Sequence, residues 1–284
     1  MSIFSDYFFQ AADGLTLYAR DYAGPSPDSP VVLCLHGLTR NSRDFQDLAP
    51  LLADHFRVLV PEQRGRGRSD YDRQVDRYNL LQYVQDVRTL LESLNIERTA
   101  IVGTSMGGLM TFALSALHPG TIDRAVINDI GPEIASAGLE RIKSYVGIVG
   151  PFSDWEEATA YLKAASAEIF PTWDDDQWWG FARQCYIERE GQVVVDYDPR
   201  IAEPLATEGG DTEAQTLWSL FETLANTPTL LVRGALTDLL SEDCVAKMKA
   251  AHPHLSVLDV PDVGHAPMLN EPGVSEAVIN FLIS

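Results

Sequence analysis

Cysteine is scarce in this chain, with only Cys34, Cys185 and Cys244 among 284 residues. Their wide spacing and the lack of any C-x-x-C pair exclude a disulfide framework and fit a reducing compartment. Basic residues are also few: 21 Lys and Arg stand against 41 Asp and Glu, a formal net charge of −20. That balance argues against nucleic acid and anionic membrane surfaces as partners. No apolar run approaches the ~20 residues needed to span a bilayer. The segment Met1-Ser2-Ile3-Phe4-Ser5-Asp6 lacks a basic stretch followed by an apolar one, so no signal peptide is expected and a cytoplasmic location is. Repeats, low-complexity tracts and metal-ligand spacings are absent too, so neither a metal nor a cofactor is expected. The run Trp173-Asp174-Asp175-Asp176-Gln177 reads as a helix start, its acids favoured by the dipole.

What the chain does have is alternation. Strand-like runs at Leu15 to Tyr22, Val31 to Leu35, Arg57 to Val60, Thr99 to Val102, Ile122 to Ile127, Thr229 to Val232 and Leu255 to Val260 are separated by helical patterns. The helical patterns include Ser42 to Ala53, Leu80 to Leu94 and Met106 to Leu117. Such alternation predicts a mostly parallel sheet covered on both faces. It breaks between about Gly131 and Thr227, which reads as several short helices without sheet strands and holds all five tryptophans. We expect residues 1–130 and 228–284 to form an α/β core and residues 131–227 a helical cap. Most of the cap's aromatics are expected to pack against one another, with some lining an apolar pocket.

The stretch Gly103-Thr104-Ser105-Met106-Gly107-Gly108 follows the apolar Ala100-Ile101-Val102 and opens a helix. It is a G-x-S-x-G turn in the strand–turn–helix setting that gives the motif meaning, with a serine held on a tight bend. A serine needs a base. Of six histidines, His265 in Asp262-Val263-Gly264-His265-Ala266-Pro267 lies just past the last strand run, where a side chain reaches the same sheet edge. The base needs an acid. Asp238, just past Thr229 to Val232, gives the order Ser105, Asp238, His265 and is expected to be that acid, with Asp129 at the end of its strand as the alternative. Oxyanion donors are expected at the backbone N–H groups of Met106 and of Leu38, the latter in His36-Gly37-Leu38-Thr39. His36 is expected to order that loop. Arg40 and Arg43 are expected to be solvated or salt-bridged. Gln63-Arg64-Gly65-Arg66-Gly67-Arg68-Ser69 reads as a structured turn rather than a basic nucleic-acid loop.

These segments, together with Gly264-His265-Ala266-Pro267 through Asn270-Glu271-Pro272, resemble the α/β-hydrolase superfamily in order and spacing over essentially the whole chain. The resemblance implies an eight-stranded, mostly parallel sheet with a helical cap after the sixth strand, and Ser105, Asp238 and His265 as a catalytic triad. Glu62 departs from the aspartate that many relatives carry there, with no consequence for the triad. Relatives that are haloalkane dehalogenases or epoxide hydrolases carry aspartate at the elbow, so Ser105 argues against both. Relatives that cleave carbon–carbon bonds often have tryptophan after the histidine, whereas Ala266 looks more like carboxylesterases and lactonases. The expected activity is hydrolysis of small to medium apolar esters through an acyl-enzyme. The alternatives are a lactonase, a carbon–carbon bond hydrolase, or a non-catalytic ligand receptor on the same fold. A small-molecule ester or lactone is the expected partner.

Overall fold

In the computed structural model, residues 3–205 and 211–284 are described. Along β3 (Val31–Leu35), Val32 and Cys34 point to one side while Leu33 and Leu35 point to the other. All four are fully buried, because each face of the sheet is covered by helices. The same holds in β4 (Arg57–Glu62), β5 (Thr99–Thr104), β6 (Ile122–Asn128) and β9 (Thr229–Gly234). The sheet is completed by β1 (Ser5–Gln10), β2 (Thr16–Tyr22) and β10 (Leu255–Val260), in the order β1-β2-β4-β3-β5-β6-β9-β10. Only β1 and β2 run antiparallel to their neighbours.

One face packs α2 (Leu80–Ser93), α3 (Met106–Leu117) and α9 (Glu242–Ala251), which contribute Leu90, Met110, Phe112 and Met248 to the core. The other packs α1 (Leu48–Leu52) and α10 (Val274–Ile283), with Leu48, Leu52, Val278 and Leu282. The helical pattern at Ser42 to Ala53 resolves into a 3₁₀ turn, Ser42–Phe45, and the short α1. Pro50 explains the break: with no N–H to donate it suits only a first turn, so the α-helix begins two residues before it.

Between β6 and β9 lie α4 (Ser136–Tyr145), α5 (Trp155–Ser166), α6 (Asp175–Cys185), α7 (Ala202–Leu205) and α8 (Asp211–Glu222). Among the described residues this segment adds no strand to the main sheet. It does contain a two-stranded hairpin that the sequence reading missed, β7 (Tyr186–Arg189) with β8 (Gln192–Val195). Glu190 and Gly191 both have positive φ, the two-residue turn that suits the strands' twist. Asp174 caps α6 and shares a capping box with Gln177, so the acidic run is a helix start. The segment is seated on the core by backbone bonds: Gly67 N–H to Asp196 O (3.0 Å), Asp198 N–H to Gly65 O (2.7 Å) and Gly264 N–H to Ile169 O (2.7 Å).

Candidate active site

β5 lies mid-sheet between β3 and β6, and the chain leaves it through a turn too tight for ordinary residues. Ser105 takes φ 53° and ψ −115°, held by its N–H to Asn128 O (2.9 Å) and by Gly108 N–H to its carbonyl (2.8 Å). A Cβ on Gly103 would strike the Gly107 carbonyl, and one on Gly107 the Leu35 carbonyl. The two glycines let α3 start against the strands and leave the serine hydroxyl at the sheet's carboxyl edge.

His265 arrives from the loop after β10. Its Nε2 lies 2.9 Å from Ser105 Oγ, and its Nδ1 lies 2.8 Å from Asp129 Oδ2. An ionised carboxylate only accepts, so Nδ1–H donates to Asp129 and Nε2 is left to accept from the serine. Asp129 has no exposed side-chain surface. Gly234 N–H (2.8 Å) donates to its Oδ1 and Thr237 Oγ1–H (2.7 Å) to its Oδ2, so the carboxylate is fixed as well as solvated by protein dipoles. The neighbouring Asn128 Nδ2 donates to Pro267 O (2.8 Å), tying the histidine loop to the end of β6.

The expectation that Asp238 partners His265 is therefore corrected. Asp238 is bound side-on by Arg141, whose Nε and Nη2 donate at 2.6 and 2.8 Å. That partner holds its carboxyl below the usual range, against the opposing effect of partial burial. The reason lies in the loop after β9. It docks on α4 through Ala135 N–H to Leu239 O (3.0 Å) and Gly138 N–H to Asp238 O (3.1 Å), turning Asp238 toward α4 and Thr237 toward Asp129. The available sequence signal was the polar pair Asn128-Asp129 ending a buried apolar strand.

The expected oxyanion donors also meet here. Neither Leu38 N–H nor Met106 N–H has an acceptor among the described residues. Arg66, which sequence reading placed only in a turn, touches both residues. Its Nε donates to Leu38 O (2.9 Å), its Nη1 to Tyr83 Oη (2.9 Å) and Arg64 O (2.8 Å), and its Nη2 sits 3.9 Å from Met106 Sδ. Arg66 is fully buried and stacks over the Tyr83 ring, and among the described residues no carboxylate pairs with it. A cation thus braces both residues expected to donate to an oxyanion. His36 orders the same loop: Nδ1–H donates to Gly37 O (2.7 Å) and Nε2 accepts from Gln63 N–H (3.1 Å). Burial pushes its pKa down to about 3, so the ring is neutral and is no rival base.

Arg40 and Arg43 are ion-paired, with Asp44 and Asp196 respectively. Arg64 forms a buried cluster with Asp13, Asp72 and Asp86, which accounts for much of the basic turn. A cavity of about 170 Å³ opens onto Ser105 and His265, lined in part by Tyr145, Tyr161, Phe170, Phe181 and Tyr186. Among the described residues no tryptophan lines it. Trp173 instead stacks on Phe170 at 3.7 Å and abuts Trp178 at 5.0 Å, and Trp218 Nε1–H donates to Glu133 (3.0 Å).

The family model described as alpha/beta hydrolase fold matches residues 30–272. The chain is 37% identical to a 3-hydroxybutyrate-oligomer hydrolase of Cupriavidus necator, covering 91% of this chain and 90% of that one. It is 29% identical to a 2-(acetamidomethylene)succinate hydrolase of Mesorhizobium japonicum, covering 89% and 88%. An alpha/beta hydrolase from Novosphingobium aromaticivorans superposes with a TM-score of 0.93 at 42% identity, covering 100% of this chain and 99% of that one. Sheet order, elbow and sequence likeness agree over nearly the full length: the chain belongs to the α/β-hydrolase family and is a hydrolase of that fold.

Proposed function

We propose that the protein hydrolyses carboxylic esters through an acyl-enzyme on Ser105. The observation that carries this reading is the continuous hydrogen-bonded chain from Ser105 Oγ through His265 to Asp129 Oδ2. His265 Nε2 takes the serine proton as Oγ attacks the ester carbonyl, and Asp129 stabilises the imidazolium that forms. The N–H groups of Leu38 and Met106 hold the oxyanion. His265 then gives its proton to the departing alcohol, and activates the water that releases the acid and restores Ser105. Residues 131–227 act as the cap that shapes the acyl and alcohol pockets. Sparse, unpaired cysteines support a cytoplasmic setting.

The Cupriavidus relative's name supports esters of short hydroxy acids as the substrate class. A second reading, hydrolysis of a non-ester bond, is favoured by the Mesorhizobium relative, a 2-(acetamidomethylene)succinate hydrolase. A fluorophosphonate probe and a panel of 4-nitrophenyl esters, lactones and a vinylogous diketone separate the possibilities. We expect labelling at Ser105, fastest turnover on short esters, and loss of both in Ser105→Ala. Absence of labelling in the folded wild type would sink the serine mechanism and leave the receptor reading.

A further inference from the structure

Two chambers meet at Ser105, and Leu38 and Ile142 belong to the walls of both. The second, about 250 Å³, is bounded by residues such as Leu80, Leu109, Leu217 and Leu239, and among the described residues no charged side chain lines it. The first holds two arginines, Arg40 and Arg141, and one carboxylate, Asp44, which is ion-paired with Arg40. The arginines differ in what they have left to give. Arg40 is committed within the protein: it donates to Asp44, Gln184 and Cys185 and stacks over Phe181 at 4.3 Å. Arg141 gives Nε–H and one Nη2–H to Asp238, and its Nη1 has no partner among the described residues. A guanidinium has five donors, so a second carboxylate can be bound alongside the first. Of the two arginines that line the reaction chamber, Arg141 is thus the one with unused donors, and its side chain is 26% exposed.

From this we infer that Arg141 is a substrate-carboxylate subsite, with Asp238 as the positioning residue that orients its guanidinium. The substrate class is an ester carrying a free carboxylate: the anionic end lies in the Arg141 chamber and the apolar remainder in the other. This rests on Ser105 being the ester-cleaving nucleophile proposed above. It also gives Asp238 a task, since His265 hydrogen-bonds Asp129 and Asp238 binds Arg141.

The test compares kcat/KM for two matched pairs, each a free acid and its methyl ester. One pair places the carboxylate on the acyl side (4-nitrophenyl hydrogen succinate), the other on the alcohol side (a linear dimer of a short hydroxy acid). Wild type is expected to prefer the free acid in one pair by roughly 10- to 100-fold, the range of a charge-assisted contact. Arg141→Met is expected to abolish that preference and Arg141→Lys to keep part of it. Asp238→Asn is expected to retain a preference for the acid, since it frees donors rather than removing them. The double variant Arg141→Met/Asp238→Asn, which leaves no bare aspartate to repel the substrate, is expected to lose the preference too. Hydrolysis without preference in either pair overturns the subsite and leaves the esterase reading standing. Equal loss of preference in Arg141→Met and Asp238→Asn overturns it as well, because a purely structural ion pair behaves that way. No turnover of any ester and no Ser105 labelling overturns both.

Discussion

At the scale of single residues, the proposed chemistry hangs on one proton held on the correct ring nitrogen. Asp129 secures this by accepting from His265 Nδ1–H while Gly234 and Thr237 pin its own oxygens. Replacing it with asparagine keeps the shape but allows the amide to donate, favouring the tautomer that cannot accept the serine proton. We expect Asp129→Asn to lower kcat on a neutral 4-nitrophenyl ester by about 10⁴, as amide replacement of a triad acid does elsewhere. Asp238→Asn is expected to cost roughly a hundredfold less. Steady-state kinetics on the two variants decides the acid directly, and a reversed order would return the role to Asp238.

At the scale of elements, the loop after β3 carries Leu38, the proposed oxyanion donor, and a buried neutral imidazole holds it. The His36 pKa in the folded protein, about 3, lies below the ordinary value of about 6.5 for an exposed histidine. Between these values the unfolded chain takes up a proton that the folded chain does not. The contribution to stability is therefore full above about pH 6.5 and declines as pH falls toward 3, by ~1.4 kcal/mol per pH unit. Denaturant unfolding of wild type and His36→Asn at pH 7 and pH 5 isolates this group. The wild-type advantage is expected to shrink by about 2 kcal/mol at the lower pH. A difference that does not change with pH argues that burial does not hold the ring neutral.

At the scale of the whole molecule, charge is the global property that composition makes unusual. With 41 acidic and 21 basic residues, the folded state gathers a net −20 into a small volume. The buried Arg64 cluster and the Arg141–Asp238 pair are local and weakly screened, whereas the general repulsion is long-ranged. Raising NaCl from about 10 mM to about 200 mM shortens the screening length to below ~10 Å. We expect Tm to rise by a few degrees, on the order of 1 kcal/mol for a chain of this size. Scanning calorimetry reads this, and a fall in Tm would mean that surface ion pairs outweigh the repulsion.

The sequence by itself determined the central strands, the elbow and the histidine. Val31–Leu35 and the Ala100-Ile101-Val102 run of Thr99–Thr104 are buried on both faces and so are apolar, which is visible without coordinates. Ser105 and His265 were legible because each depends on a short local context of glycines and a strand end. The edge strand β1, with its exposed residues, and the hairpin β7–β8 left weaker patterns. Tertiary structure alone decided which carboxylate His265 meets. Asp129 and Asp238 both lie past the carboxyl ends of adjacent parallel strands, and the polar pair Asn128-Asp129 was too weak a local signal to place Asp129 above Asp238. Arg141, from an element 97 residues away, claims Asp238, while Thr237 and Gly234 turn to Asp129. The same packing set Arg66 beneath the oxyanion loop, because a side chain's partners across the fold are fixed by where elements dock rather than by spacing along the chain.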